Sequence, residues 1–188
     1  EIRDTLKGIE LTPAKEVVEG LRRVKDDDEL AAMRRAVEVA ARAWEETTAV
    51  PMAGVREMDI SVDLEFRLKR AGSEKAPFDF IVASGPRGAL PHGVASERRV
   101  QTGEFVTFDF GACAHGYFSD LTRTVAVGPV SEELRRMYDL VLEANRAGIA
   151  AVRPGARAGE VDAVHPVLVL VPLQSELGGV APPARLQA

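Results

Sequence analysis

The chain has 188 residues, 46% of them hydrophobic, enough to bury the core of one domain. Its 29 acidic and 24 basic residues leave a formal charge of -5 and are interspersed, which argues against an electropositive surface for nucleic acid. A single cysteine, Cys113, excludes an internal disulfide framework and a cysteine zinc cage.

The first ten residues, EIRDTLKGIE, are too polar for a signal peptide, and the longest apolar run, VLVLV at 167–171, is too short to cross a bilayer. These features read as a cytoplasmic protein without a membrane partner, and the absent initiating methionine reads as a segment of a longer chain. Residues 1–25 form an approach segment ending in RRVK and an aspartate run whose carboxylates suit a helix N-terminus. From Asp28 to about Thr48 the stripe Leu30, Met33, Val37, Ala41 and Trp44 predicts an amphipathic helix. A second helix is predicted over 57–71, where Ile60, Leu64, Leu68 and Ala71 make one face and Gly72 supplies the stop.

PFDFIVAS at 77–84 is a buried-strand candidate, leading into the irregular loop GPRGALPHGVAS that carries His92. Two strand-like runs follow, EFVTFDFGAC and YFSDLTRTVAVG, separated by a short segment containing Gly116, and a hairpin is the economical reading. Ser131, Glu132 and Glu133 start a further helix with Leu134, Met137, Tyr138, Val141 and Leu142 facing inward, fading near Gly148. The tail HPVLVLVPLQSELGGVAPPARLQA has several prolines and no helical stripe, which leaves room for one short edge strand.

A hairpin turn centred on Ala114 and His115 would pair Asp109 with Asp120 and Thr107 with Thr122. Carboxylates directly opposite lie about 5 Å apart at Cβ and repel unless something neutralises them, most simply a cation. The other face carries Val106, Phe108, Phe110 and Leu121, a core face. Carboxylate oxygens suit hard or borderline divalent ions such as Mn²⁺. The alternatives are that both aspartates face water, or that the register is shifted and they never meet. His92 alone in a loop, and His115 at the hairpin tip, read as surface residues, Cys113 as a small strand hydrophobe, Arg123 as a structural ion pair or a stem over the sheet, and Trp44 as core.

FDFIVASGPRGALPHGVASERRVQTGEFVTFDFGACAHGYFSDLTRTVAVG, with PHG, DFGA and GYFSDLTRT in this order, resembles the first half of the catalytic domain of pita-bread metallopeptidases, in the branch of Xaa-Pro aminopeptidase and Xaa-Pro dipeptidase (prolidase). The resemblance extends upstream through EVVEGLRRVKDDDELAAMRRAVEVA and downstream through GARAGEVDAV, covering about residues 14–164. It implies an α+β pita-bread fold, a curved antiparallel sheet with helices on one face. Residues 1–25 would link to a missing N-terminal domain, 26–164 would form the first catalytic half, and 165–188 would be a non-matching tail.

By the same resemblance Asp109 and Asp120 fall on the first two ligands of a centre of two divalent ions, Mn²⁺ first and Co²⁺ or Zn²⁺ as alternatives. Asp120 matches the bridging ligand, and His92 matches the histidine that contacts substrate near the scissile bond. The implied substrate is a proline-containing peptide. The family's remaining histidine and two glutamate ligands would follow the position of Val164, where this chain carries no HGxGH pattern and Glu176 is the only acid. The expectation is a truncated and inactive Xaa-Pro peptidase, or alternatively a non-catalytic pita-bread module that binds peptides or proteins. An uncovered half-sheet would favour a homodimer or another association through that surface, aggregation, or partial disorder near the tail, unless another chain covers it. His165 lies past the matching region and reads as exposed.

Overall fold

Local capping and spacing set the helices. In the computed structural model, which describes Gly8, Ala14 and residues 16–164, a short helix α1 (Val17–Arg23) crosses the expected approach segment and buries none of its residues. Helix α2 (Asp27–Thr48) starts at Asp26, whose side chain accepts from the Glu29 amide while the Glu29 carboxylate accepts from the Asp26 amide. That reciprocal capping box satisfies two orphan donors of the first turn. Helix α3 (Glu57–Ala71) ends at Gly72, which takes φ 108° and donates to the carbonyls of Leu68 and Lys69. Ile60, Leu64 and Leu68 are buried as their spacing predicts.

The inward face of α2 differs from the expected stripe. Ala32, Ala36, Val39, Ala40, Ala43 and Thr47 are buried, whereas Leu30 and Val37 are exposed. Hydrophobicity alone favours the larger side chains, but α2 packs against both α3 and a small hairpin, and alanines let backbones come close on two sides. Trp44 lies at the margin of this face, with its ring 5.1 Å from Phe108 in an edge contact and 5.7 Å from Phe110 in a stacked one.

The strands are shorter and more numerous than the two runs suggest. β1 (Ile81–Ser84), β2 (Glu104–Phe110) and β5 (Leu121–Val127) form a sheet in the order β1-β2-β5, and β3 (Cys113–Ala114) and β4 (Tyr117–Phe118) form a separate two-stranded ribbon. β1 pairs antiparallel with β2, placing Ile81 opposite Asp109 and Ser84 opposite Val106. Phe108, Phe110, Val106 and Leu121 are all buried, as the alternation of the sequence requires.

A two-residue turn, His115 at φ 50° and Gly116 at φ 77°, joins Ala114 to Tyr117. Positive φ at both central positions is the geometry whose twist matches a hairpin. The turn centre therefore lies one residue later than Ala114 and His115. Consequently Asp109 meets Thr122, which donates to it at 3.0 Å, and the hydroxyls of Thr107 and Thr124 lie 3.3 Å apart. The register expected from the sequence, Asp109 opposite Asp120, is corrected by two positions on one strand, a shift that leaves every side chain on its expected face.

The described residues divide into two compact units, one drawn from those up to Gln101 together with Phe105–Val125, the other from Thr102–Glu104 and those from Ala126 onward. In the second unit, helix α4 (Glu132–Ala151) is capped by Ser131, whose side chain accepts from the Leu134 amide. It runs through Gly148 instead of fading there, and α5 (Ala158–Asp162) follows. Ala144 and Gly148 are its buried positions, while Met137, Tyr138 and Val141, expected inward, are exposed. The expectations for residues 165–188, His165 and Glu176 included, lie outside the described residues.

Candidate active site

Two strand ends and one loop converge on a cleft of about 460 Å³ lined by Phe78, Asp79, Ile81, His92, Val94, Asp109 and Asp120. Asp109 projects from β2 near its end, and Asp120 immediately precedes β5. The ribbon β3–β4 makes the two carboxylates neighbours although they are not register partners. Its base is closed by Ser119, whose amide donates to the Ala112 carbonyl at 2.9 Å and whose Oγ accepts from the Ala112 amide at 3.0 Å and donates to the Ala36 carbonyl at 3.1 Å. Gly111 completes this closure, since a Cβ there would collide with the Ser119 carbonyl oxygen and approach Pro77 Cγ to 2.9 Å.

His92 reaches the same cleft along the sheet edge. Val94 bridges to Ile81, and Ile81 in turn pairs with Asp109. The ladder places the histidine loop one strand away from the first carboxylate.

Burial pushes the Asp109 carboxyl above its ordinary range; Thr122 opposes this by donating to it, while the neighbouring Asp120 charge adds to it. A carboxylate held in this way is poorly solvated and repelled by its neighbour. Because folding raises its pKa, the folded chain takes up a proton at a pH where the unfolded chain has already lost it. Stability is therefore highest below the unfolded value and falls as pH rises through the folded one. Asp109→Asn removes this penalty. In the presence of a chelator at pH 7 it is expected to raise the melting temperature by about 1–3 °C in a thermal scan, and to flatten the pH dependence over that interval.

The donor set of Asp109, Asp120 and Thr122 suits a hard divalent cation, which would relieve the same repulsion. Among the described residues, however, no group of three or more His, Cys, Asp or Glu side chains could hold a metal ion.

The other candidates lie elsewhere. His115 is exposed at the ribbon turn, where its amide donates to Glu74 at 2.6 Å. Cys113 is buried on β3, where burial and then the Glu74 carboxylate push its thiol up and keep it protonated. Arg123 donates to the Thr122 carbonyl at 2.7 Å.

Sequence reading missed two acids. Asp79 shares the cleft, and its signal is parity: two residues before Ile81, it falls on the face that Ile81 shares with Asp109. Glu57 opens α3 and is fully buried, yet no local pattern distinguishes it from an ordinary first-turn acid.

Residues 31–168 match the profile of metallopeptidase family M24. The chain belongs to metallopeptidase family M24. Among curated M24 relatives it is 40% identical over 149 residues to the Xaa-Pro dipeptidase of Pyrococcus furiosus, covering 79% of this chain and 43% of that protein. Among solved structures it superposes on an Xaa-Pro dipeptidase from Bacillus anthracis with a TM-score of 0.80 and 42% identity, covering 88% of this chain and 45% of that one. An X-Pro aminopeptidase from Thermotoga maritima gives a TM-score of 0.80 at 35% identity, covering 88% and 46%. The M24 chain thus has the pita-bread fold over a span of less than half the length of these relatives.

Proposed function

We propose that this M24 chain carries the first two metal ligands and the substrate-contacting histidine of an Xaa-Pro peptidase acting on proline-containing peptides. Asp109 and Asp120 would hold the cations, with Mn²⁺ first and Co²⁺ or Zn²⁺ as alternatives. The observation that carries this reading is the convergence of His92, Asp109 and Asp120 on one cleft, with Asp109 held there against burial and like charge. When bound, divalent ions at such carboxylates supply Lewis-acid polarisation of a carbonyl and activation of water. The protein's own contribution is geometric. β2 and the ribbon place the carboxylates, Thr122 orients Asp109, Phe78, Ile81 and Val94 give the cleft apolar walls, and His92 offers an imidazole to a bound peptide.

The chain on its own is proposed to be inactive, to be located in the cytoplasm and to associate as a homodimer, with neither nucleic acid nor a membrane as partner. No helix among the described residues is long and apolar enough to cross a membrane. The second reading is a pita-bread module that binds peptides or proteins without catalysis.

Calorimetric titration of the chain with Mn²⁺, beside an Xaa-Pro dipeptide hydrolysis assay, separates the two. Binding without turnover is expected, with Asp120→Ala lowering affinity at least about tenfold because one carboxylate cannot retain the ion. Two tightly bound ions with turnover would overturn the incompleteness of the site, and a folded chain that binds no Mn²⁺ would favour the module. Size-exclusion chromatography tests the homodimer, against which a compact monomer would count.

A further inference from the structure

The buried carboxylate of Glu57 gathers the strand and loop that surround His92. At its Oε1 it accepts from the Ser84 amide and hydroxyl, both at 2.7 Å. At its Oε2 it accepts from Arg87 Nε at 3.0 Å, from the Ser96 amide at 3.1 Å and from the Ser96 hydroxyl at 2.6 Å. The attachment is reciprocal, because the amides of Glu57 and Met58 donate to the carbonyls of Arg98 and Ser96 at 2.9 and 3.1 Å. Arg87 extends it by donating Nη2 to the Val94 carbonyl at 2.6 Å. Ser84, Arg87, Val94 and Ser96 bracket His92 on both sides along the chain, and Val94 is the residue that bridges to Ile81 in the cleft wall.

Burial opposes ionisation of Glu57, but the bonds from Ser96 and Ser84 outweigh it and hold the carboxyl below its ordinary range. A fully buried acid with this many donors is costly to build when its only task is to start a helix, since an exposed cap does that as well. The helix-end role therefore leaves its burial unexplained, while the bracketing of His92 accounts for it.

We propose that Glu57 is a positioning residue whose carboxylate, by binding Ser84, Arg87 and Ser96 together, holds the His92 loop in place beside Asp109 and Asp120. The proposal rests on the reading of His92 as a substrate-contacting group. Glu57 itself does not line the cleft, so it acts through the loop.

The test compares Glu57→Gln, Ser96→Ala and a control, Leu64→Val, which perturbs the buried face of the same helix without touching the carboxylate. Amide hydrogen exchange and the His92 imidazole proton resonance are recorded on the full chain at a temperature where Trp44 fluorescence reports complete folding. Glu57→Gln is expected to speed exchange across residues 85–98 at least about tenfold while leaving 27–48 unchanged, and to shift the His92 resonance. Ser96→Ala should reproduce the pattern at smaller amplitude, and Leu64→Val should not. If Glu57→Gln fails to fold, Ser96→Ala decides alone, because it removes one side-chain donor and leaves the Ser96 amide bond intact.

A uniform rise in exchange over all elements, an unmoved His92 resonance, or the same pattern in Leu64→Val would overturn the proposal. None of these readouts needs a cation or a substrate. A folded chain that binds no Mn²⁺ would count against the peptidase reading and leave the positioning role of Glu57 standing.

Discussion

Phe108→Ala is expected to lower the unfolding free energy by about 3–5 kcal/mol, the range for truncating a fully buried aromatic in a core that cannot collapse around the gap. Phe108 has no exposed surface, and its ring edge meets Trp44 5.1 Å away. The site gives little room for relaxation, because β2 is held on one side by β1 and on the other by β5. Urea unfolding followed by the fluorescence of Trp44, the only tryptophan in the sequence, reads the change where it occurs. A midpoint shift with an unchanged slope is the expected form. A loss below about 1 kcal/mol would mean that the α2–β2 packing is not the centre of the core.

The second large effect is expected at Gly111. Gly111→Ala places a Cβ into the Ser119 carbonyl oxygen and within 3.0 Å of the Ser119 carbonyl carbon. Neither is the free end of a flexible side chain. Ser119 cannot retreat without breaking its bonds to Ala112 and to the Ala36 carbonyl. The expected cost is roughly 3 kcal/mol in stability, at the upper end of ordinary overpacking. The displacement falls on the residue preceding Asp120, so any Mn²⁺ affinity of the folded chain should fall with it. Gly116→Ala is the informative contrast. There nothing lies within 4 Å of an added Cβ, but φ is +77°, so the cost is that of left-handed backbone, about 1 kcal/mol. Equal losses at the two glycines would overturn the distinction between a position that needs space and one that needs φ.

Features that depend on short-range chemistry were legible from residues alone. The Asp26 and Glu29 pair marks the start of α2, and Gly72 the end of α3, because capping involves residues only three or four apart. The stripe Ile60, Leu64 and Leu68 names the buried face of α3 correctly, and alternation along β2 does the same for Val106, Phe108 and Phe110. Helix α2 shows where that reasoning stops. Its larger apolar residues Leu30 and Val37 are exposed and its alanines buried, since the inward face is chosen by how closely α3 and the β3–β4 ribbon approach.

The hairpin divides in the same way. Alternation alone is enough to send Asp109 to one face and Phe108 to the other, and it survives the shift in register because that shift is an even number of residues. Which residues meet across the strands was decided by the turn, where His115 and Gly116 both adopt positive φ. Asp109 consequently receives Thr122, and Asp120 reaches it from the neighbouring position. The parity that places Asp79 in the cleft was readable only once Ile81 was known to pair with Asp109.

By itself, then, the sequence determined helices α2 and α3 with their ends, the polar and apolar faces of the strands, and the ordered PHG, DFGA and GYFSDLTRT segments that mark an M24 metallopeptidase. Only the tertiary structure decided that His92, Asp109 and Asp120 share a cleft and that Glu57 anchors the loop between β1 and β2. The physical reason is separation along the chain. Glu57 meets Ser84 across 27 residues and Ser96 across 39, and a buried carboxylate finds donors at such distances through packing, which leaves no periodic signal in the sequence.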